Sequence, residues 1–387
     1  MGFERARELG PEGIVAELRT AGLREKGGVG RPLAGRWQAV QEAGATGTYV
    51  ICNAVDGDPH APVSRFVLAS KAEAVLDGLL VAAHAVGAEH CVVCVNSEYG
   101  DEVAGLERVV ERRRQAGRQD AGEAGSELPC EVRVERIPGS PVAAEETTLI
   151  RALEHRQALP YLRPEGDATG VGGAPTLVES AETLAAVSAL FDGDSAGADA
   201  ETKVVAVFGD VSRPCMLEVP LGTTIAAVIE QAAGRPLAEL DLKAVQFGGP
   251  ASRFLRGEAL NTPISHEDLG RVGAVMGSGS IGVFGPGWCA AEMAQHVTAY
   301  LHEQSCGKCV FCREGTRQVL DILNDIVECR AEAEQVDLLL ERARAMRTGS
   351  ICGIGRGAAL PVLSALELFA DNFKAHLESK RCPGKNA

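Results

Sequence analysis

Basic residues are in short supply. Lys and Arg together number 38 against 53 Asp and Glu, a net charge of −15. A surface with that balance repels phosphate backbones, which excludes a nucleic-acid partner held by charge neutralisation. Aromatic residues are scarcer still, at 4% of the chain, so a site that stacks flat rings on side chains is thinly supplied. Long apolar runs are missing too. The longest, AVLDGLLVAAHAV, is interrupted by Asp77 and His84 and falls short of the about 20 residues that span a bilayer. Direct membrane insertion is excluded on that ground, leaving partners as the route to any membrane. The opening MGFERARELG has charges among its first residues and no apolar core, so it reads as no secretory signal. No internal repeat is evident.

Cysteine is what the chain has in plenty. Twelve are present in 387 residues whose mean hydropathy is near zero and whose hydrophobic content is 45%, an ordinary composition for two or three globular domains. With no secretory signal, the expected compartment is the reducing cytoplasm, where clustered cysteines read as metal ligands and scattered ones as small core residues.

The first 165 or so residues alternate short apolar runs with helical stretches. TYVICNAV (48–55), HCVVCVN (90–96) and CEVRVERI (130–137) have the length and composition of strands. SRFVLASKAEAVLDGLLVAAHAVG and DEVAGLERVVERRRQAG have helical periodicity. Strand–helix repetition of this kind predicts an α/β, Rossmann-like layer with a largely parallel sheet and ligands at the carboxyl ends of its strands. RQDAGEAGSEL (118–128) reads as a polar loop and FDGDSAGADAET (191–202) as a linker. KVVAVFGDVSRPCMLEVPLGTTIAAVIEQAAG then reads as a hairpin followed by a helix with Thr223 or Thr224 as its N-cap, the start of a small β-grasp module. From about residue 285 the pattern is helical, and 297–304, 314–349 and 358–380 are expected to form a bundle.

One stretch carries specific chemistry. In QSCGKCVFCREGTRQV (304–319), Cys306, Cys309 and Cys312 stand three apart, and Cys352 follows in the glycine-rich GSICGIGRG. A four-iron cube needs four converging thiolates, and a tight triple with a distant fourth is one way to supply them. Zinc is the competing occupant, but its sites are usually built from separated ligand pairs, and neither a second such pair nor a histidine pair accompanies the triple. Lys308 and Arg313 flank the triple, and positive charge there would raise a cluster's potential. The other eight cysteines are assigned to structure. Cys91 and Cys94 point to opposite faces of one strand, and Cys382 lies in a tail with disorder more expected than ligation. His296 and His302 read as surface residues.

SCGKCVFCREGT followed by SICGIG resembles the flavin-carrying, NADH-oxidising subunit of respiratory complex I and its relatives in soluble hydrogenases and formate dehydrogenases. GLREKGGVGRPLAGRW (22–37), YVICNAVDGDP (49–59), AAEETTLIRALE (143–154) and GGAPTLVESAETL (172–184) are similar, in order, to that family's four flavin segments. The resemblance implies a Rossmann-like FMN/NADH-type domain over 1–200, a β-grasp (SLBB-like) module over 203–275 and a helical [4Fe–4S]-binding domain over 285–387. It implies FMN at Gly27, Gly28, Gly30, Arg36, Asn53, Asp56, Gly57, Glu145, Glu146 and Ser180. Asp58 and Arg163 fall among its NADH-binding positions, and Cys306, Cys309, Cys312 and Cys352 are its [4Fe–4S] ligands. Its activity is hydride transfer from NAD(P)H to FMN and then single electrons to the cluster. Its partners are other redox subunits of one complex: a thioredoxin-like [2Fe–2S] subunit and a larger iron–sulfur subunit.

The nucleotide end departs from the family. Arg31, Ala39 and Gly166 stand where it has aromatic rings, and Val55-Asp56-Gly57 where it has Asp-Glu-Gly. Pro141-Val142-Ala143-Ala144 replaces Tyr-x-Cys-Gly, and Ser180 replaces an Asn. Glu145 and Glu146 would open a helix in any case, where carboxylates are favoured by the dipole. Two functions stay open: an NAD(P)H-oxidising flavoprotein, or a subunit that keeps the cluster and relays electrons without nucleotide.

Overall fold

The computed structural model describes residues 2–44, 46–121, 130–164, 166–192 and 201–384. They divide into two compact units, 1–158 with 163–204 and 159–162 with 205–387.

The first unit opens with two helices, α1 (Gly2–Ala21) and α2 (Leu33–Ala43). Helix α1 kinks at Gly10 ahead of Pro11. Strand β1 (Tyr49–Ala54) leads into α3 (Val63–Val86), β2 (His90–Asn96) into α4 (Gly100–Ala121), and β3 (Glu131–Ile137) into α5 (Glu146–Leu153). Strand β4 (Thr176–Ser180) and α6 (Ala181–Phe191) complete the unit. The expected strands and parallel pairing are present, in the order β3-β2-β1-β4. Strands β1 and β2 are buried almost throughout, as their continuous Val, Ile and Cys content requires of a sheet covered on both faces. Helices α1 and α2 and strand β4 are not evident from periodicity. Helix α4 runs through 118–121, four residues that read as loop, and 122–129 lie outside the described residues, as does 193–200 of the expected linker.

The order of the strands positions a site. The chain steps outward from β1 to β2 to β3, then returns to place β4 on the other flank of β1. The carboxyl ends of β1 and β4 are therefore a topological switch point, where connections diverge and leave a crevice. Asn53 and Ser180 are register partners at that end.

Strand β5 (Thr202–Gly209) starts in the first unit and enters the second at residue 205, where β6 (Cys215–Pro220) and α7 (Ile225–Ala233) follow. Thr224 caps α7, its hydroxyl accepting from the Ala227 amide. Strand β7 (Ala244–Phe247), β8 (Phe254–Leu255), the short α8 (His266–Arg271) and β9 (Ser280–Phe284) follow. The mixed sheet has the order β6-β5-β9-β7-β8, so β9, which lies past residue 275, is its central strand. Val205, Val207, Ile225, Ile229, Phe247 and Ile281 form its core. The bundle then comprises α9 (Ala290–Glu303), α10 (Val310–Val327), α11 (Glu334–Gly349), α12 (Gly353–Gly357), α13 (Leu360–Leu368) and α14 (Ala370–Leu377). The expected continuous helix over 314–349 is broken where Cys329 adopts a left-handed backbone, φ 60°. The stretch 358–380 is broken at Phe369. Among the described residues no single helix is long and apolar enough to cross a membrane.

Candidate functional site

The crevice at the ends of β1 and β4 gathers most of the expected flavin residues. The loop before α2 turns at Gly28 and Gly30, with φ 58° and 68°, a backbone that only glycine adopts without strain. A Cβ at Gly28 would meet nothing within 4 Å, so the loop presents bare backbone to open space. The loop is tied to α6 through the Lys26 amide, which donates to Thr183 Oγ1 at 3.0 Å. Gly27 closes its turn, its carbonyl accepting from the Gly30 amide. Asn53 donates to the Ala144 carbonyl at 2.9 Å and accepts from the Val55 amide, joining the ends of β1 and the segment before α5. Gly57 packs against that segment, and a Cβ there would sit 2.8 Å from Pro141 Cα and 3.1 Å from the Ala144 methyl.

Several expected contacts are made within the chain. The Asp56 carboxylate accepts from the Ser64 and Arg65 amides at the start of α3 and from the Tyr99 hydroxyl at 2.7 Å. Burial holds Asp56 above its usual range against those three donors. An anion cannot share that helix start with a carboxylate, so a phosphate is directed to the glycine loop instead. Asp58 is buried and caps a turn, accepting from the His60 amide. Glu145 is the N-cap of α5, accepting from Thr148, and Ser180 is the N-cap of α6, accepting from Thr183. The capping reading of Glu145 is what the geometry displays.

Glu146 and Arg36 belong to a cluster the sequence did not reveal. Arg31, Arg36 and Arg163 all pair with Glu146, at 2.9, 3.1 and 2.7 Å. Arg31 and Arg36 both also pair with Glu25, and Arg36 reaches Glu179 at 3.2 Å. Trp37 donates its indole N–H to Glu179 at 3.1 Å. Desolvation opposes the charge of the half-buried Glu146, yet the three guanidiniums hold its carboxyl below the usual range. Glu179 behaves oppositely. It is enclosed at the end of β4, and burial pushes it up to about 7, with Arg36 only partly opposing. Glu179 Oε2 and Arg163 Nε are buried without a hydrogen-bond partner. Glu25 and Glu179 carried no signal in the sequence, because their importance comes from the fold that brings 25, 146 and 179 together.

These residues fit a phosphate-bearing flavin. The glycine loop offers backbone, three guanidiniums offer charge and planar donors, and the orphaned Glu179 Oε2 offers an acceptor that a ligand hydroxyl or a proton satisfies. Glu25 and Glu146, joined by Glu179 once it ionises, balance the three guanidiniums, so an entering phosphate must compete with them. The positions of the family's rings supply no stacking surface: Arg31 is engaged in ion pairs, Ala39 is a methyl, and Gly166 has no side chain.

The second site lies in the bundle. Cys309 is the N-cap of α10 and Cys312 lies in its first turn. Cys306 precedes Gly307, whose φ of 73° reverses the chain, and Cys352 is the N-cap of α12. The Cys312 thiol is pushed up by burial, relieved by Ser305, and raised further by Cys309, Cys352 and Cys306. Four thiols thus converge closely enough to sense one another's charge. A convergent set of four thiols is the donor set that a four-iron cube takes. Close packing keeps the cage in place: a Cβ at Gly355 would lie 2.8 Å from Ser350 Cβ and 3.1 Å from Cys312 Cβ.

The two flanking cations are structural ties. Lys308 Nζ donates to the Pro160 carbonyl at 2.5 Å, and Arg313 donates to the Gly307 carbonyl at 2.7 Å. His302 is not a free surface residue, because its Nδ1 lies 3.0 Å from Thr316 Oγ1 and joins α9 to α10. Cys382 is buried, against expectation.

The chain matches three family models. Residues 18–189 match the Nuo51 FMN-binding domain, 204–252 the SLBB domain, and 292–376 the NADH-ubiquinone oxidoreductase-F iron-sulfur binding region. It is 30% identical to the F 2 subunit of the NADH-quinone oxidoreductase of Rhizobium meliloti over 97% of this chain and 91% of that one. It is 29% identical to the HndC subunit of the NADP-reducing hydrogenase of Solidesulfovibrio fructosivorans over 99% of this chain and 79% of that one. A chain of the NAD+-reducing [NiFe]-hydrogenase in its H2-reduced state superposes with a TM-score of 0.86 at 29% identity. This match covers 99% of the present chain and 66% of the hydrogenase chain.

Proposed function

This chain belongs to the family of NADH-quinone oxidoreductase flavoproteins defined by the Nuo51 FMN-binding domain and the oxidoreductase-F iron-sulfur region, and on that premise we propose that it is the electron-entry subunit of an oxidoreductase complex. It takes hydride from NAD(P)H on FMN and passes single electrons through a [4Fe–4S] cluster to a partner. The observation that carries this reading is the pairing, in one chain, of a glycine-and-arginine crevice at a sheet switch point with a complete four-thiol cage.

FMN, when bound, supplies the conversion of a two-electron hydride donor into one-electron steps. The chain's own residues orient and tune it. Gly27 and Gly28 bring backbone N–H groups to the phosphate, Gly30 closes the turn that presents them, and Arg36, Arg31 and Arg163 supply the countercharge. Asn53 fixes the loop at the end of β1, with Asp56, Gly57, Glu145 and Ser180 shaping the walls as caps and close contacts. Asp58 and Arg163 border the nucleotide side. Glu179, poised near neutrality, holds a proton beside the arginine cluster and releases it as pH rises. Cys306, Cys309, Cys312 and Cys352 hold the cluster, and the N-terminal end of α10 favours its negative charge at Cys309.

The chain's domains divide this work: a flavin domain over 1–200, the β-grasp module over 203–275 with its central strand beyond, and the cluster domain over 285–387. Val310 and Phe311, half-exposed or more beside Cys309, mark the face on which a further iron–sulfur subunit docks, with a thioredoxin-like [2Fe–2S] protein among the partners. Residence in the cytoplasm, with any membrane reached through the complex, fits the absence of a spanning helix among the described residues.

A second reading is favoured by the ion cluster and the missing rings: a relay that keeps the cluster and draws electrons from a protein donor. Anaerobic addition of NADH or NADPH to FMN-reconstituted protein separates the two. Flavin bleaching accompanied by the paramagnetic signal of a reduced cluster supports hydride entry. Reduction by dithionite but by neither nucleotide sinks it in favour of the relay.

A further inference from the structure

A third constellation lies in the bundle, in residues that neither site uses. Cys289, at the start of α9, is fully buried, and so is His376 near the end of α14; Cys382, six residues later, is 7% exposed. Cys289 Sγ stands 3.1 Å from His376 Nε2, and one ligand atom from each of Cys289, His376 and Cys382 lies within 4.8 Å of the others. Cys329 completes the surroundings from the far side of the ring, its Sγ 3.4 Å from His376 Nδ1.

The chemistry of this set is specific. Thiols are weak hydrogen-bonding groups, so gathering them around a buried imidazole gains little from hydrogen bonds alone. Two sulfurs and an imidazole nitrogen at this spacing are a donor set suited to zinc. One tautomer suits it. The Cys329 thiol lies 4.0 Å from the Val327 carbonyl, a geometry that allows its sulfur to accept from His376 when Nδ1 carries the proton. Nε2 then presents a lone pair toward Cys289 and Cys382, the outer-partner arrangement usual for a metal-bound histidine. The amides of Ala291 and Glu292 hydrogen-bond to the Cys289 sulfur and favour its thiolate, although burial pushes the free thiol up to about 11.

The polypeptide around the set is drawn in tightly. Lys380 Nζ donates to the Ala331 carbonyl at 2.9 Å, and the Arg381 amide donates to the Ala375 carbonyl at 3.2 Å. A Cβ on Gly384 would sit 2.9 Å from the Cys289 nitrogen. The segment after α14 is thus folded back onto the start of α9 with Cys382 pointing inward.

We propose that Cys289, His376 and Cys382 bind a zinc ion with a water as its fourth ligand, separate from the cluster cage, that fastens the end of the chain to the base of α9. Spacing in the sequence hides it, because its first two ligands are 87 residues apart and meet only in the fold.

The test is zinc and iron content of the full holoprotein after chelator treatment and desalting, together with zinc K-edge absorption. The expected result is about one zinc per chain beside about four irons, with a shell of sulfur at about 2.3 Å and lighter donors at about 2.0–2.1 Å. Cys382→Ser and His376→Gln should each lower retained zinc at least about tenfold while leaving iron unchanged. Three results would overturn the proposal: no retained zinc in the parent protein; zinc unchanged in both variants; or an all-sulfur shell, which places zinc in the cluster cage. Zinc absent together with two fewer titratable thiols than the sequence provides would replace the metal with a Cys289–Cys382 disulfide. The absorption measurement uses the parent protein, so the proposal stays testable even if a variant fails to fold.

Discussion

The two sites of this chain are built on opposite principles. In the cage at the head of α10, four like groups converge, and the two flanking cations, Lys308 and Arg313, are turned to backbone carbonyls. In the crevice beside β4, opposite charges converge and neutralise one another, three guanidiniums against three carboxylates. Four crowded thiols call for a metal centre. A self-balanced ion cluster can stand by itself and admits an anionic ligand only by exchange of partners. The difference teaches where the chain's function is strictly specified and where it is tuned.

The comparison breaks most sharply at Cys352. Its replacement by Ser should take iron from about four per chain to below about one and abolish the cluster's visible absorbance, because three thiolates leave one corner unheld. Flavin content should be unaffected, since Cys352 lies in the other unit. Arg36→Ala should act in the reverse sense: iron unchanged, and thermal unfolding of the first unit lowered by about 2–3 kcal/mol. It strips a partner from Glu25, Glu146 and the enclosed Glu179. Gly355→Val comes next, with an expected loss of about 1–3 kcal/mol and a cluster more easily bleached by air, from collision with Ser350 and Cys312.

The pH dependence sharpens the crevice side. Glu179 has a folded-state pKa near 7 against an ordinary 4.5, so folding binds a proton. Its share of stability is complete below pH 4.5 and is lost as pH rises through 7. Glu179→Gln should therefore be more stable than the parent at pH 8, by about 1–2 kcal/mol, and little different at pH 5. FMN affinity in the parent should also rise as pH falls from 8 to 6, because a protonated Glu179 no longer competes for Arg36. A flat profile would show that the carboxylate stays ionised. The smallest effect is expected at Lys308→Gln, about 0.5 kcal/mol for one loop hydrogen bond.

What was legible in the sequence follows the same division. The cage could be read because its ligands are local in the chain: three cysteines on one turn, and a fourth beside glycines. Strands β1 and β2 could be read because burial on both faces demands continuous apolar runs, and β3 because its residues alternate as those of an edge strand do. Strand β4 could not, since TLVES carries a buried Glu179 whose polarity hides the pattern. Arg36 was legible as a cation, but its three carboxylate partners were not, being brought together from positions 25, 146 and 179 by the fold. Helix α1 was hidden by Gly10 and Pro11, which look like a break and form a kink. Cys382 looked like a loose tail because no local signal announces that it folds inward against Cys289.

The account's central claim is that one chain carries both an electron-accepting flavin and the cluster that drains it. The most direct measurement is acid-released flavin per chain after anaerobic reconstitution with iron, sulfide and FMN, followed by desalting. About one FMN together with about four irons is expected. Flavin near zero with the irons retained would contradict it and leave the chain as an electron relay.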